Sequence, residues 1–411
     1  MKKRFLSAGL AVVMAASLTA CGGSGSASTT AAAAGESKAE GESSAAAEGE
    51  SSAAADGAVF KIGGIGPVTG GAAVYGLAVQ HGAEIAVKEI NDAGGINGVP
   101  IEFQFQDDEH DAEKSVNAYN TLKDWGMQVL MGTVTSAPCI AVADKTAADN
   151  MFQITPSGSA VECAENPNVF RVCYSDPAQG TASAKYIGEH KLASKVAVIY
   201  DSSDVYSSGI YEKFAQEAPN QGIEVVDAEA FTADSNKDFS TQLQKAKESG
   251  AELVFLPIYY TEASLILQQA NTMGFAPQFF GCDGMDGLLQ VQNFDVKLAE
   301  GLMLLTPFAA DATDDLTVNF VKSFEDAYGE TPIQFAADAY DAIYIIKAAM
   351  EEANVTPDMS VSDICDAMEG AMTQIKVDGL TGTNMSWTED GEPEKDPKAV
   401  QVVDGAYKAM E

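Results

Sequence analysis

Histidine is scarce in this sequence, and basic residues are few beside the acidic ones. Three histidines (His81, His110, His190) stand in 411 residues, too few for a histidine-rich metal centre. Lysine and arginine number 24 against 60 acidic residues, a formal net charge of −36. Binding a nucleic-acid backbone needs clustered cations that release counterions, and docking on anionic lipid needs a basic face; the charge balance argues against both. No Cys-x-x-Cys pair occurs, so no structural zinc or other metal site is expected. A Gly-x-Ser-x-Gly elbow is also missing, which argues against a serine hydrolase. Gly63-Gly64-Ile65-Gly66 lacks the spacing of a dinucleotide loop and runs into Pro67. With 46% hydrophobic and 20% charged residues, a folded globular body is expected.

The chain opens with an address. Lys2, Lys3 and Arg4 precede an uncharged apolar run from Phe5 to Leu18, too short for a comfortable membrane span and typical of a secretory signal. It ends in Leu18-Thr19-Ala20-Cys21, which resembles a bacterial lipoprotein cleavage box. That resemblance implies a signal peptide over 1–20, lipid on Cys21, and a protein held at the extracytoplasmic face of the cell membrane by its anchor. Residues 22–57 are mostly Ala, Ser, Gly and Glu, with no aromatic residue, Leu, Ile or Val. Such a segment cannot offset its ordering entropy by burial, so 21–57 is read as a lipidated cysteine and a flexible tether. Five cysteines remain (139, 163, 173, 282 and 365), an odd number; a local Cys163–Cys173 bridge is one option and free thiols the other.

From Val59 the pattern alternates short apolar strands with amphipathic helices. Strands are expected at 59–65, 101–105, 129–132, 152–155 and 169–172, then again at 196–200, 223–226, 253–256, 279–281 and 302–305. Helices fall between most of them, and three more follow near 315–328, 334–353 and 360–371 with no strands between, so these should pack back on the first unit. Two successive open, mostly parallel α/β sheets with flanking helices result. Ligands of such sheets sit beyond the carboxyl ends of the strands, which directs attention to loops 66–76, 106–111, 132–137, 155–160, 200–208, 256–262 and 281–287.

Those loops are rich in hydroxyls. Ser136 is placed as a helix N-cap with Pro138 in the first turn, a start that either serves its own helix or receives a carboxylate. Thr155-Pro156-Ser157-Gly158-Ser159 repeats the idea beside it. Tyr206, Tyr259 and Tyr260 lie on the later loops, and Asp283 follows a strand, either capping the next turn or holding an ammonium group. Asp107-Asp108-Glu109-His110-Asp111 reads as a solvated acidic loop rather than a metal site.

Taken together, Ile65-Gly66-Pro67-Val68-Thr69-Gly70, Tyr75-Gly76, Gly94-Gly95-Ile96-Asn97-Gly98, Asp107-Asp108, Ile154-Thr155-Pro156, Phe170-Arg171, Asp238-Phe239-Ser240 and Tyr340-Asp341-Ala342 resemble the substrate-binding proteins of branched-chain amino acid ABC importers over nearly all of 58–390. The resemblance implies a two-lobed type I periplasmic-binding-protein fold with three hinge crossovers near 174–176, 306–308 and 376–379. Lobe 1 is then 58–174 plus 308–376, and lobe 2 is 175–307 plus 377–411. It further implies a non-enzymatic, monomeric receptor that needs no cofactor, has an amino acid as ligand and ABC permease subunits as partners. Carried over by position, Ser136 and Ser159 hold the ligand carboxylate, the Ser157 carbonyl meets the ammonium, and Tyr75, Tyr206 and Tyr259 line the pocket. Asp283 stands where family members have a glutamate. His110 and Thr135 replace a cysteine pair. An amide, urea or aromatic acid remains an alternative ligand.

Overall fold

Which strands become buried follows from how apolar they are. The computed structural model describes residues 57–395 and 397–410; the expectations for 1–20, Cys21 and 22–56 lie outside them. The first sheet holds β1 (Phe60–Gly66), β2 (Ile101–Asp107), β3 (Val129–Gly132), β4 (Gln153–Thr155) and β5 (Val169–Arg171) in the order β2-β1-β3-β4-β5, every pair parallel. Its three-strand run β3-β4-β5 is buried at every position, whereas edge strand β2 is half-exposed beyond Ile101. Continuous burial on both faces is what helices on both sides of a parallel sheet demand. One polar side chain enters this core satisfied: Gln153 donates to Gly132 O at 2.8 Å and accepts from Thr146 at 2.7 Å.

Helices α1 (Ala73–Asp92), α2 (Ala112–Trp125) and α3 (Ser136–Asp149) connect the strands. Asp111 caps α2 by accepting from Glu113 N and Lys114 N, and Gly126 ends it at φ 92°.

The second sheet begins after α4 (Asp176–Glu189). It contains β6 (Lys195–Asp201), β7 (Glu224–Phe231), β8 (Leu253–Leu256), β9 (Gln278–Gly281) and β10 (Met303–Thr306), separated by α5 (Val205–Glu217), α6 (Ser240–Glu248) and α7 (Tyr260–Thr272). The chain then returns to the first sheet through α8 (Asp315–Tyr328), α9 (Gln334–Glu352) and α10 (Val361–Met372). Helix α9 packs on α1, β3 and β4, as expected for helices without intervening strands. A ribbon of β11 (Ser386–Trp387) and β12 (Pro393–Glu394) precedes β13 (Lys398–Val403) and β14 (Ala406–Ala409), which complete the order β14-β13-β10-β9-β8-β6-β7. Only the β10–β13 and β13–β14 pairs are antiparallel. This is a two-lobed α/β architecture built on two open, mostly parallel sheets.

Three details depart from the sequence pattern. Helix α4 carried no legible stripe, because its buried face is Asp176, Gln179, Gly180, Ser183, Ala184 and Ile187. That small-residue face lets α4 and α5 approach closely; a Cβ at Gly180 would come 2.4 Å from Ile210 O. Residues 377–394, assigned above to the second lobe, stay against the first sheet: Trp387 Nε1 donates to Arg171 O at 2.8 Å and Arg171 N to Gly391 O at 3.1 Å. All five described cysteines are free and buried, so the Cys163–Cys173 bridge does not form; Cys163 turns instead toward α3, its Sγ 3.6 Å from Ser136 O.

Candidate functional site

One side of the cleft is built by the loops after β3 and β4. Ser157 Oγ donates to Val134 O at 2.6 Å, Thr155 Oγ1 to Thr133 O at 2.6 Å, and Gly158 N to Thr155 Oγ1 at 2.7 Å. These bonds staple the two loops into one wall. Ser136 is the first helical residue of α3, not its N-cap; the cap position is Thr135. Its Oγ accepts from Ser159 N at 3.3 Å and Ala160 N at 3.2 Å, so it binds the neighbouring loop rather than serving its own helix. With both lone pairs engaged, the Ser136 O–H is left to donate. No charged side chain lines this side: besides Tyr75 and Phe335, its lining residues are Val134, Thr135, Ser136, Ser157 and Ser159.

The opposite side comes from the second sheet. Tyr206, at the start of α5, donates to Asp283 Oδ1 at 2.7 Å and accepts from Gly284 N at 2.9 Å. Gln179 of α4 donates to Asp283 Oδ2 at 3.0 Å, and Gly284 N also reaches Oδ1. Asp283 is thus held from two helices instead of merely capping its own turn. Gly284 is needed here, since a Cβ would lie 2.6 Å from the Tyr206 hydroxyl. Tyr206 and Tyr259 stack at 4.9 Å. Tyr75 of α1 meets Tyr259 edge-on at 5.6 Å and stacks on Phe335 at 4.2 Å.

Burial pushes the Asp283 carboxyl up to about 6, against the lowering pull of the Tyr206, Gly284 and Gln179 hydrogen bonds. Asp204 is raised to about 6 and Asp176 well above the usual carboxylate range, both chiefly by burial. Among the described residues no ion pair reaches any of the three. Asp176 Oδ1 is also buried without a hydrogen-bond partner. This side therefore presents acceptors lacking a cation, facing a side of uncharged donors.

All seven expected residues line one space: Tyr75, Ser136, Ser157, Ser159, Tyr206, Tyr259 and Asp283, joined by Val134, Thr135, Gly284 and Phe335. The cavity is about 10 Å³, room for roughly one water. The lobes are shut on each other by Tyr75 O–H donating to Gly284 O, Tyr260 O–H receiving Val74 N–H at 3.3 Å, and Thr261 O–H donating to Gly71 O at 3.1 Å. A molecule of amino-acid size enters only when these contacts part. A larger cavity, about 450 Å³, lies among Asp286, Phe308, Ile333 and Tyr407. The cleft space, though smaller, is where the seven residues gather, with the Ser136 hydroxyl and the Asp283 carboxylate in its lining.

Three positions in or behind the cleft escaped the sequence. Phe335 begins a helix far along the chain, with no local signal. Asp176 and Gln179 sit on α4, which had no readable stripe. The acidic loop is also less solvated than expected: Asp108 is fully buried, and burial lifts its carboxyl to about 7. The His110 ring nitrogen is 2.8 Å from Thr135 Oγ1. Among the described residues no three potential ligands group as a metal site.

The profile of the periplasmic binding protein family matches residues 59–406. A Leu/Ile/Val-binding protein homologue of Brucella melitensis is 31% identical over 72% of this chain and 80% of its own. A leucine-, isoleucine-, valine-, threonine- and alanine-binding protein of Pseudomonas aeruginosa is 30% identical over 71% and 78%. Among solved structures, the branched-chain amino acid transporter substrate-binding protein LivJ of Streptococcus pneumoniae, in complex with isoleucine, superposes with a TM-score of 0.77, 26% identity and coverage of 86% and 99%. With the fold, the cleft and these relatives agreeing, the chain belongs to the periplasmic binding protein family, alongside the branched-chain amino acid substrate-binding proteins of ABC transporters.

Proposed function

We propose that this protein is a lipid-anchored extracytoplasmic receptor that takes up a branched-chain or other small amino acid between its lobes and delivers it to an ABC permease. The observation that carries the amino-acid reading is the polarity of the cleft. Ser136 O–H and the hydroxyl-rich wall suit a carboxylate, while Asp283, backed by Asp176 and Asp204, suits an ammonium group. A zwitterion gives up its hydration at both ends when it enters, so it needs both partners at fixed spacing. Tyr75, Tyr206, Tyr259 and Phe335 wrap the remainder, and the Ser157 carbonyl supports the ammonium. The relatives' names supply the branched-chain class, and the threonine and alanine of one relative mark how small the ligand can be.

Calorimetry with the twenty amino acids, together with urea, short amides and aromatic acids, tests this reading. Saturable binding confined to α-amino acids is expected, strongest for an aliphatic one. Binding of amides or aromatic acids with no response to any amino acid would reject it. Anchoring has its own test: mature protein should carry a lipid mass on Cys21, and Cys21→Ala should accumulate as precursor. Normal processing of that variant would remove the anchor from the account.

A further inference from the structure

Behind the donor wall lies a buried cation that no ligand in the cleft would touch. Arg171 ends β5 and has no exposed surface. Its guanidinium donates to four successive carbonyls: Gly158 O at 3.3 Å and Ser159 O at 2.7 Å from one nitrogen, Ala160 O at 3.0 Å and Val161 O at 3.2 Å from the other. In a trans peptide the C=O and the following N–H point in opposite directions. Drawing the oxygens of 158 and 159 toward Arg171 therefore turns the N–H groups of Ser159 and Ala160 away from it, toward Ser136 Oγ. Ser136 accepts both and has only its own proton left to give.

We infer that Arg171 is a positioning residue for carboxylate recognition, acting through two peptide units and the Ser136 hydroxyl. The inference rests on the amino-acid reading above. Hydrogen bonds in series polarise one another, and the low dielectric of a buried site preserves the effect. A positive charge can thus favour a carboxylate while staying out of reach of the ammonium end of the same ligand. Its only ion-pair partner among the described residues is Glu392, with Oε1 3.2 Å from Nε and the side chain about one-third exposed. Glu392 offsets part of the charge, so it tunes the wall from the far side.

The two residues give opposite predictions. Calorimetry at pH 7 and low salt would compare L-leucine and L-alanine with their C-terminal amides, which keep the ammonium but lack the carboxylate charge. Wild type should prefer the acids. Arg171→Lys keeps a charge but loses the planar fork that spans four carbonyls. It should weaken the acids roughly tenfold, equivalent to about 1.4 kcal/mol, and the amides less than about twofold. Glu392→Gln should tighten the acids about two- to threefold and leave the amides unchanged. A structural role alone would move acids and amides together. Equal shifts for both ligand types in Arg171→Lys, or no gain of acid preference in Glu392→Gln, would overturn the relay. If Arg171→Lys does not fold, as a thermal melt would reveal, the sign of the Glu392→Gln effect decides. Wild type that shows no preference for acid over amide would instead remove the amino-acid reading, and the relay with it.

Discussion

The two sides of the cleft come from similar sheets but do opposite electrostatic work. On the first sheet, serine and threonine hydroxyls and backbone N–H groups are tied loop to loop, and the Arg171 charge is hidden behind them. On the second, Asp283 and Asp176 stand buried and Asp204 half-buried, none with a counter-ion among the described residues, and Asp283 is supported by a tyrosine and a glutamine. On the proposed reading, neither lobe alone makes a site. A carboxylate brought to the first side satisfies Ser136 but leaves the ammonium in water, and the second side has the reverse defect. Only closure supplies both partners. The net charge of −36 repels a carboxylate at long range, so the donors must act locally.

Removing the charge from the second side should have the largest effect. Asp283→Ala should weaken amino-acid binding roughly ten- to hundredfold, since hydrogen bonds to charged groups are worth about 1.5–3 kcal/mol. Asp283→Asn, which preserves shape, should lose somewhat less. Titration calorimetry reads both; wild-type affinity in the alanine variant would reduce Asp283 to a structural role. On the first side, Ser136→Ala should weaken binding about tenfold and leave Ser159 N and Ala160 N without their acceptor. Cutting a tie between the sides should matter less. Tyr75→Phe removes the donor to Gly284 O, and about fivefold weaker binding with a larger radius of gyration in scattering is expected. An unchanged affinity and scattering curve would show that this contact does not hold the lobes together.

The last effect is a pH dependence, and its sign follows from burial. Asp283 is near 6 in the folded protein against an ordinary value of 3.8, so the native state holds an extra proton between those values. Its contribution to stability therefore falls as pH rises through that window and levels off above about 6. An ammonium ligand favours the ionised form, so affinity should rise with pH through about 6, with proton release on binding. Calorimetry in buffers of different ionisation enthalpy measures that release; Asp283→Asn should diminish it, and equal release in the variant would assign it to Asp176 or Asp204.

What was readable in the sequence divides along similar lines. Strands with continuous apolar runs, such as Val129–Gly132 and Leu253–Leu256, announce themselves because both faces are buried. The loops beyond their carboxyl ends, which topology alone singles out, hold every lining residue except Phe335. Helix α4 was illegible because close packing on α5 requires small residues where a stripe of large apolar ones would be the signal. The chain's stay on the first sheet through 394 was hidden too, since it rests on a two-residue ribbon and a tryptophan bonded to Arg171 O. The role inferred for Arg171 has no local signature, because four carbonyls and a serine from another helix create it.

The central claim is that opposed donors and acceptors bind both ends of one zwitterion. Calorimetry of the wild-type protein with L-leucine, its C-terminal amide and its des-amino acid analogue tests it most directly. The account predicts that each truncated ligand binds at least about tenfold more weakly than leucine, because each leaves one side of the closed cleft unmatched. A des-amino acid that binds as tightly as leucine would contradict it.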